Sequence, residues 1–295
     1  MPQKTSTKDR IQVGFWRGVM GALALGAGSA APKGRVAEHR YGIGTLEVLD
    51  HWKAARAVPE RAIVVHVHGG GWIAGSKGRF YTKPLMRLAD AGHPVFSLNY
   101  PLAPETRHPE PLRALLRGLA WIKRTQSNGG AVHLIGDSAG GNLVMMLAIM
   151  AANPQILRGY DGMDPTALPE MLSVSSLFGL LDRISFQEDR FPGAGLFLRS
   201  YAGPAAIAPE FSTPMPITPL DLPTIARLPR AFFVAAGKNP LARSSRLFYD
   251  RTAPDFPDMR FKLYPGAAHG FFSFGTGSEE LGRDLLAFLS GSDPS

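Results

Sequence analysis

Short, almost continuous apolar runs alternate along this chain with stretches of helical period. Ala62-Ile63-Val64-Val65-His66-Val67 is apolar on both alternating faces, the pattern of a strand covered on both sides of a sheet. Val36–Tyr41 and Thr45–Leu49, parted by Gly42-Ile43-Gly44, predict an antiparallel hairpin at a sheet edge. Tyr81–Ala91 predicts a helix stopping at Gly92, Pro94–Leu98 a strand, and Leu112–Arg124 a helix. After the turn signal Asn128-Gly129-Gly130 come a strand over Ala131–Ile135 and a helix over Leu143–Ala152, apolar on every side and therefore buried. Leu172–Phe178, Ala231–Ala236 and Met259–Tyr264 are the remaining strands, the last two each followed by helix-like sequence. Strands alternating with helices predict an α/β fold, with a mostly parallel central sheet and helices on both faces.

Two regions break this rhythm. In residues 1–34, Lys4, Lys8, Arg10 and Arg17 precede a Gly- and Ala-rich apolar stretch over Val19–Ala30. That order resembles a secretory signal, but the stretch is weakly hydrophobic. The preferred reading is a segment packed over the active site as part of a lid, with residues 35–295 as the catalytic domain. Residues 182–229 read as irregular and proline-rich, and a long insertion of that kind in a compact domain is usually functional. Residues 182–216 are expected to complete the cap.

Composition narrows the function. At 295 residues, 45% hydrophobic and 19% charged, the chain can bury a sizeable core, and no run of 18 apolar residues predicts a membrane-spanning helix. The absence of cysteine excludes a disulfide framework and a thiolate nucleophile or metal site. No metal and no cofactor is implied. The net charge of +8 invites a nucleic-acid reading, but the basic residues are scattered and no such motif occurs, so no nucleic-acid partner is expected. A cytoplasmic location is favoured, secretion stays open through the signal-like N-terminus, and self-association as a homodimer is also open.

The chemistry centres on Gly136-Asp137-Ser138-Ala139-Gly140, set between a strand and a helix. A tight Gly-x-Ser-x-Gly turn in that context makes a nucleophile elbow, with the Ser138 hydroxyl projecting above the positive end of the following helix. Attack by serine needs a base, a group to orient it, and donors for the oxyanion. His68-Gly69-Gly70-Gly71-Trp72, directly after a strand, offers uncovered backbone N–H groups, and Ala139 N–H offers another. The base comes last in chain order, and His269 lies in a Gly-rich turn after the final strand. His66 and His133 lie inside strands and read as structural, while His39, His51, His93 and His108 lie outside any motif and read as solvated.

Together, His-Gly-Gly-Gly-Trp and Gly-Asp-Ser-Ala-Gly-Gly-Asn resemble the hormone-sensitive-lipase branch of the α/β-hydrolases. Asn99-Tyr100-Pro101-Leu102-Ala103-Pro104-Glu105 is similar to that branch's Tyr-Arg-Leu-Ala-Pro-Glu segment, with Pro101 in place of the arginine. The resemblance, over about residues 36 to 290, implies an α/β-hydrolase fold with Ser138 as nucleophile. It also implies an oxyanion hole from Gly69, Gly70 and Ala139, and His269 as base in the family's His-Gly-Phe ending. Trp72, Phe178 and Phe271 are expected to line an apolar substrate pocket.

The acid departs from the family. Where the branch has an aspartate in an Asp-Pro-Leu turn, this chain reads Asn239-Pro240-Leu241, and the second acidic position nearby is Arg243. An asparagine carbonyl can accept from the imidazole, but its NH2 can select the wrong tautomer and it carries no charge. In a serine protease the same Asp-to-Asn change costs roughly 10⁴ in turnover. Four readings stand open: Asn239 orients His269 itself; the acid has moved to Asp182; Asn239 is a substitution that slows turnover; or the protein chiefly binds ligands. The leading function is cleavage of short- or medium-chain carboxylic esters through an acyl-enzyme. The alternatives are a formamidase or amidase, because His-Gly-Gly-x-Trp also resembles kynurenine formamidases, and a weakly catalytic ligand receptor.

Overall fold

The apolar runs come together in one twisted sheet. In the computed structural model, which describes residues 6–54, 56, 58, 61–126 and 130–294, eight strands are found among the described residues. They are β1 (Val36–Arg40), β2 (Val48–Trp52), β3 (Ile63–Val67), β4 (Val95–Leu98), β5 (Val132–Asp137), β6 (Met171–Leu177), β7 (Arg230–Ala236) and β8 (Met259–Tyr264). Their spatial order is β1-β2-β4-β3-β5-β6-β7-β8, antiparallel across the first two pairings and parallel from β4 onward. Residues 128 and 129 of the expected Asn128-Gly129-Gly130 turn, like Lys4, lie outside the described residues.

Period two explains how both faces are covered. Ile63, Val65 and Val67 of β3 and Ala231 and Phe233 of β7 join one core, and Val64, Phe232, Val234 and Ala236 join the other. Helices α3 (Glu110–Thr125), α4 (Ala139–Ala152), α5 (Pro154–Tyr160) and α8 (Ala242–Thr252) pack on the first face. Helices α2 (Thr82–Asp90) and α9 (Ser278–Leu289) pack on the second. Every residue of α4 from Ala139 to Met150 is buried, as its all-round apolarity requires.

Two sequence expectations need correction. The second hairpin strand starts at Val48 rather than Thr45, because Tyr41 N–H donates to the Glu47 carbonyl and Glu47 N–H to that of Gly44, which uses residues 42–47 for the turn. Residues 182–229 are not simply irregular: they contain α6 (Arg183–Glu188) and α7 (Ala194–Ala202), with 3-10 turns at Pro204–Ile207 and Pro219–Asp221. The side chain of Asp182 caps α6, and Gly193, at φ +85°, starts α7. The N-terminal region forms a long helix, α1 (Thr7–Ala27), started by the Ser6 side chain accepting from Asp9 N–H. Arg17 fastens it, donating to the carbonyls of Ile73 (2.7 Å) and Ala103 (2.9 Å) and pairing with Glu105.

Candidate active site

Ser138 stands at the end of β5 with φ +54° and ψ −120°, a conformation that L-residues reach only when the surroundings impose it. The turn is tight enough to need glycine on both sides. A Cβ on Gly136 would lie 2.3 Å from the Gly140 carbonyl oxygen, and one on Gly140 would lie 2.1 Å from that of Val67. Ser138 Oγ therefore emerges above the N-terminus of α4, 3.0 Å from His269 Nε2. The turn after β8 that carries His269 is laced to the turn after β7 by Gly237 N–H on the Tyr264 carbonyl and Lys238 N–H on the Ala267 carbonyl, both 2.9 Å. This lacing brings Asn239 against His269.

The contact behind the histidine has a definite polarity. Asn239 Oδ1 accepts the N–H of Leu241 at 3.1 Å, and a backbone N–H can only donate. The oxygen is thereby fixed on Leu241, and the amide nitrogen Nδ2 faces His269 Nδ1 at 2.9 Å. Nδ2 donates, so Nδ1 is the acceptor and the imidazole proton resides on Nε2, the nitrogen facing Ser138. In this tautomer His269 donates to the serine instead of receiving its proton. Rotating the amide would turn its NH2 onto the Leu241 N–H, donor against donor in a buried place, at about 1–3 kcal/mol. Burial pushes the His269 imidazole down to about 4, and the negative charge of Asp137 pulls the other way. Its ring edges onto Phe178 and Phe191, at 5.1 and 5.2 Å between centroids.

Asp182 is not behind His269. Its carboxylate accepts from the N–H groups of Ile184 (3.2 Å) and Ser185 (2.8 Å) at the start of α6, while both ring nitrogens of His269 are taken by Asn239 and Ser138. Arg243, at the family's second acidic position, pairs instead with Glu188 and Asp189 and ties α8 to the end of α6.

The glycine loop also needs a correction. Gly69 N–H is engaged by Asp137 Oδ1 and the Tyr81 hydroxyl oxygen, each at 3.0 Å, so it is not free for an oxyanion. Tyr81 in turn donates to Asp137 Oδ2 at 3.2 Å. Asp137 thus binds the loop to the elbow, while Gly70, Gly71 and Ala139 line the cavity beside Ser138. Among the described residues no hydrogen bond occupies the N–H of Gly70, Gly71 or Ala139. Gly71 was missed because all three glycines look alike in sequence, and only the Asp137 contact separates them.

The expected pocket aromatics lie elsewhere. Trp72 is buried, stacked on Tyr201 at 4.3 Å. Phe178 and Phe271 are buried against each other behind His269. The space in front of Ser138, about 420 Å³, is walled instead by Trp16, Met20 and Leu23 of α1, Phe80 and Tyr81, Leu180, Phe186, Phe191, Phe197 and Phe274. Proximity in sequence to the motifs suggested the wrong side chains, because the cavity is built by the segments that cross over it. The other histidines are structural: Nδ1 of His66 meets Ser97 Oγ and that of His133 meets Ser173 Oγ. Contrary to the solvated reading, His108 bonds the Met215 carbonyl and is pushed down to about 4 by burial, His93 bonds the Ala62 carbonyl, and His39 and His51 are half-buried on the sheet.

Comparisons with known proteins agree with this fold. Mouse hormone-sensitive lipase is 36% identical over 136 residues, 43% of this chain and 18% of that protein. Esterase LipQ of Mycobacterium tuberculosis is 28% identical over 161 residues, 52% of this chain and 38% of that one. The chain thus spans well under half the length of these relatives. Among solved structures, esterase B from Lactobacillus rhamnosis superposes with a TM-score of 0.79 at 17% identity, covering 96% of this chain and 95% of the other. A hyperthermophilic esterase from Pyrobaculum calidifontis gives 0.71 at 22% identity, with 96% and 93% covered. The model of the alpha/beta hydrolase fold family matches residues 64–273, from β3 through the elbow to the turn past His269, and the chain belongs to that family.

Proposed function

We propose that this chain hydrolyses apolar carboxylic esters through an acyl-enzyme on Ser138, at a rate held down by Asn239. One observation carries the reading: Ser138 Oγ lies 3.0 Å from His269 Nε2 at the wall of an apolar cavity, with uncovered N–H groups beside it. Ser138 Oγ bonds to the ester carbonyl carbon as His269 Nε2 takes the hydroxyl proton, and the N–H groups of Gly70, Gly71 and Ala139 hold the oxyanion. Collapse breaks the C–O bond to the alcohol, which leaves with the proton from His269. Water then repeats the sequence on the acyl group and frees the acid.

To act as base, His269 has to give up the tautomer that Asn239 favours, and the imidazolium formed has no carboxylate behind it. The resulting loss, roughly 10⁴ by analogy with a serine protease, is the reason to expect slow turnover. The cavity of about 420 Å³ suits a short- or medium-chain ester. Helix α1 and the α6–α7 segment are its lid in this reading. The test is hydrolysis of p-nitrophenyl acetate and butyrate by the wild type and by Ser138→Ala. Slow turnover that vanishes with the serine is expected. Tight ligand binding without Ser138-dependent turnover would instead make this a binding protein on a hydrolase fold.

A further inference from the structure

Helix α1 is apolar on two sides at once. Val13, Trp16 and Met20 face the core and the cavity. On the opposite side, at helical spacing, Ile11, Phe15 and Leu25 are 69%, 66% and 68% exposed, and nothing among the described residues covers them. Single exposed apolar residues are ordinary, but a stripe of large ones along one helix face marks a surface that meets something else.

Two observations say what meets it. Leu23 and Phe274 both line the cavity and are 49% and 41% exposed, so the cavity opens to the outside beside this helix. Apart from Glu105, which pairs with Arg17, the charge at the margin has one sign. Lys8, Arg10 and Arg79 are exposed, and none takes part in a salt bridge among the described residues. The one acid of α1, Asp9, is neutralised by Arg199 at 2.8 Å. Arg79 belongs to the far end of the helix, since a side chain at Gly28 would collide with its backbone.

We propose that this face docks on an anionic lipid surface, with α1 lying in the interface plane, so that an ester dissolved in the lipid enters between Leu23 and Phe274. Helix α1 is not long and apolar enough to cross a membrane, so it lies on the layer and does not span it. A second copy fits less well, because a two-fold pairing would bring the same cations together, whereas anionic headgroups neutralise them. The route of the substrate rests on the esterase reading; the docking does not.

The test is co-sedimentation of the full chain with sucrose-loaded vesicles, either pure phosphatidylcholine or phosphatidylcholine mixed with phosphatidylglycerol. Binding to the anionic vesicles that weakens with added salt is expected, with about tenfold weaker partitioning for Ile11→Asp/Leu25→Asp. That variant should keep the wild-type turnover of p-nitrophenyl acetate in solution, which shows it folded. Ser138→Ala should bind vesicles like the wild type, so failure of the ester chemistry and failure of docking are read separately. Absence of wild-type binding to anionic vesicles, or binding untouched by the two aspartates, would overturn the proposal. So would a lipid-free dimer in sedimentation velocity that the same variant abolishes, because the face would then join two copies of this chain.

Discussion

Asn239 faces the inner nitrogen of His269, and a neighbour fixes which of its atoms does so. Because Leu241 N–H holds the amide oxygen, Asn239→Asp keeps one carboxylate oxygen where Oδ1 now sits and turns the other onto His269 Nδ1. Turnover of p-nitrophenyl butyrate by this variant should rise by roughly 10³–10⁴, read from kcat. A pH profile gives a second check. The base works only when neutral, so activity falls as pH drops through its pKa. Burial holds His269 at about 4, which places the acid limb of kcat/KM there for the wild type. A carboxylate against Nδ1 favours the imidazolium and raises that pKa, so the limb of Asn239→Asp should move to higher pH. An unmoved limb would mean that the new carboxylate does not face the ring. Ser138, His269 and Asn239 were legible at this scale as residues that meet, because each stands in a short motif. The direction in which the amide points was not, since it depends on a backbone N–H two residues away. The freeing of Gly71 rather than Gly69 was equally hidden, because Asp137 settles it from across the elbow.

Helix α4 carries the elbow and is buried along Ala139–Met150, so it tolerates loss poorly. Leu143→Ala should destabilise the fold by about 2–5 kcal/mol in urea titration, because a fully buried side chain leaves a cavity that the neighbours fill only partly. By contrast, Phe197 on α7 borders the cavity, so Phe197→Ala should enlarge it and shift the preference of kcat/KM from butyrate towards longer p-nitrophenyl esters. An unchanged chain-length profile would remove α7 from the binding wall. The strands were readable because burial on both faces leaves an unbroken apolar run. Helices α6 and α7 were not, being short and set among prolines, although Asp182 two and three residues before the N–H groups it caps is a usable start signal. That same local duty occupies the carboxylate which the sequence offered as a replacement acid.

For the molecule as a whole, parallel strands β3, β5, β7 and β8 end on one rim, and the glycine loop, Ser138, Asn239 and His269 follow their C-terminal ends. That placement was legible from the alternation of strands and helices, since ligand sites of such sheets gather at this rim. The cavity wall was not, because Trp16 and Met20 approach it from the far end of the chain. The scattered charge of +8 gave no hint that some cations border an apolar helix face. The pinning of Asn239 by Leu241 also has a consequence for the gene. Either asparagine codon becomes an aspartate codon by a single base change, and the N–H that would receive the new carboxylate is already in place. On the proposed mechanism, the slow and the fast form of this site would stand one base change apart, with no rebuilding of the scaffold on either side of it.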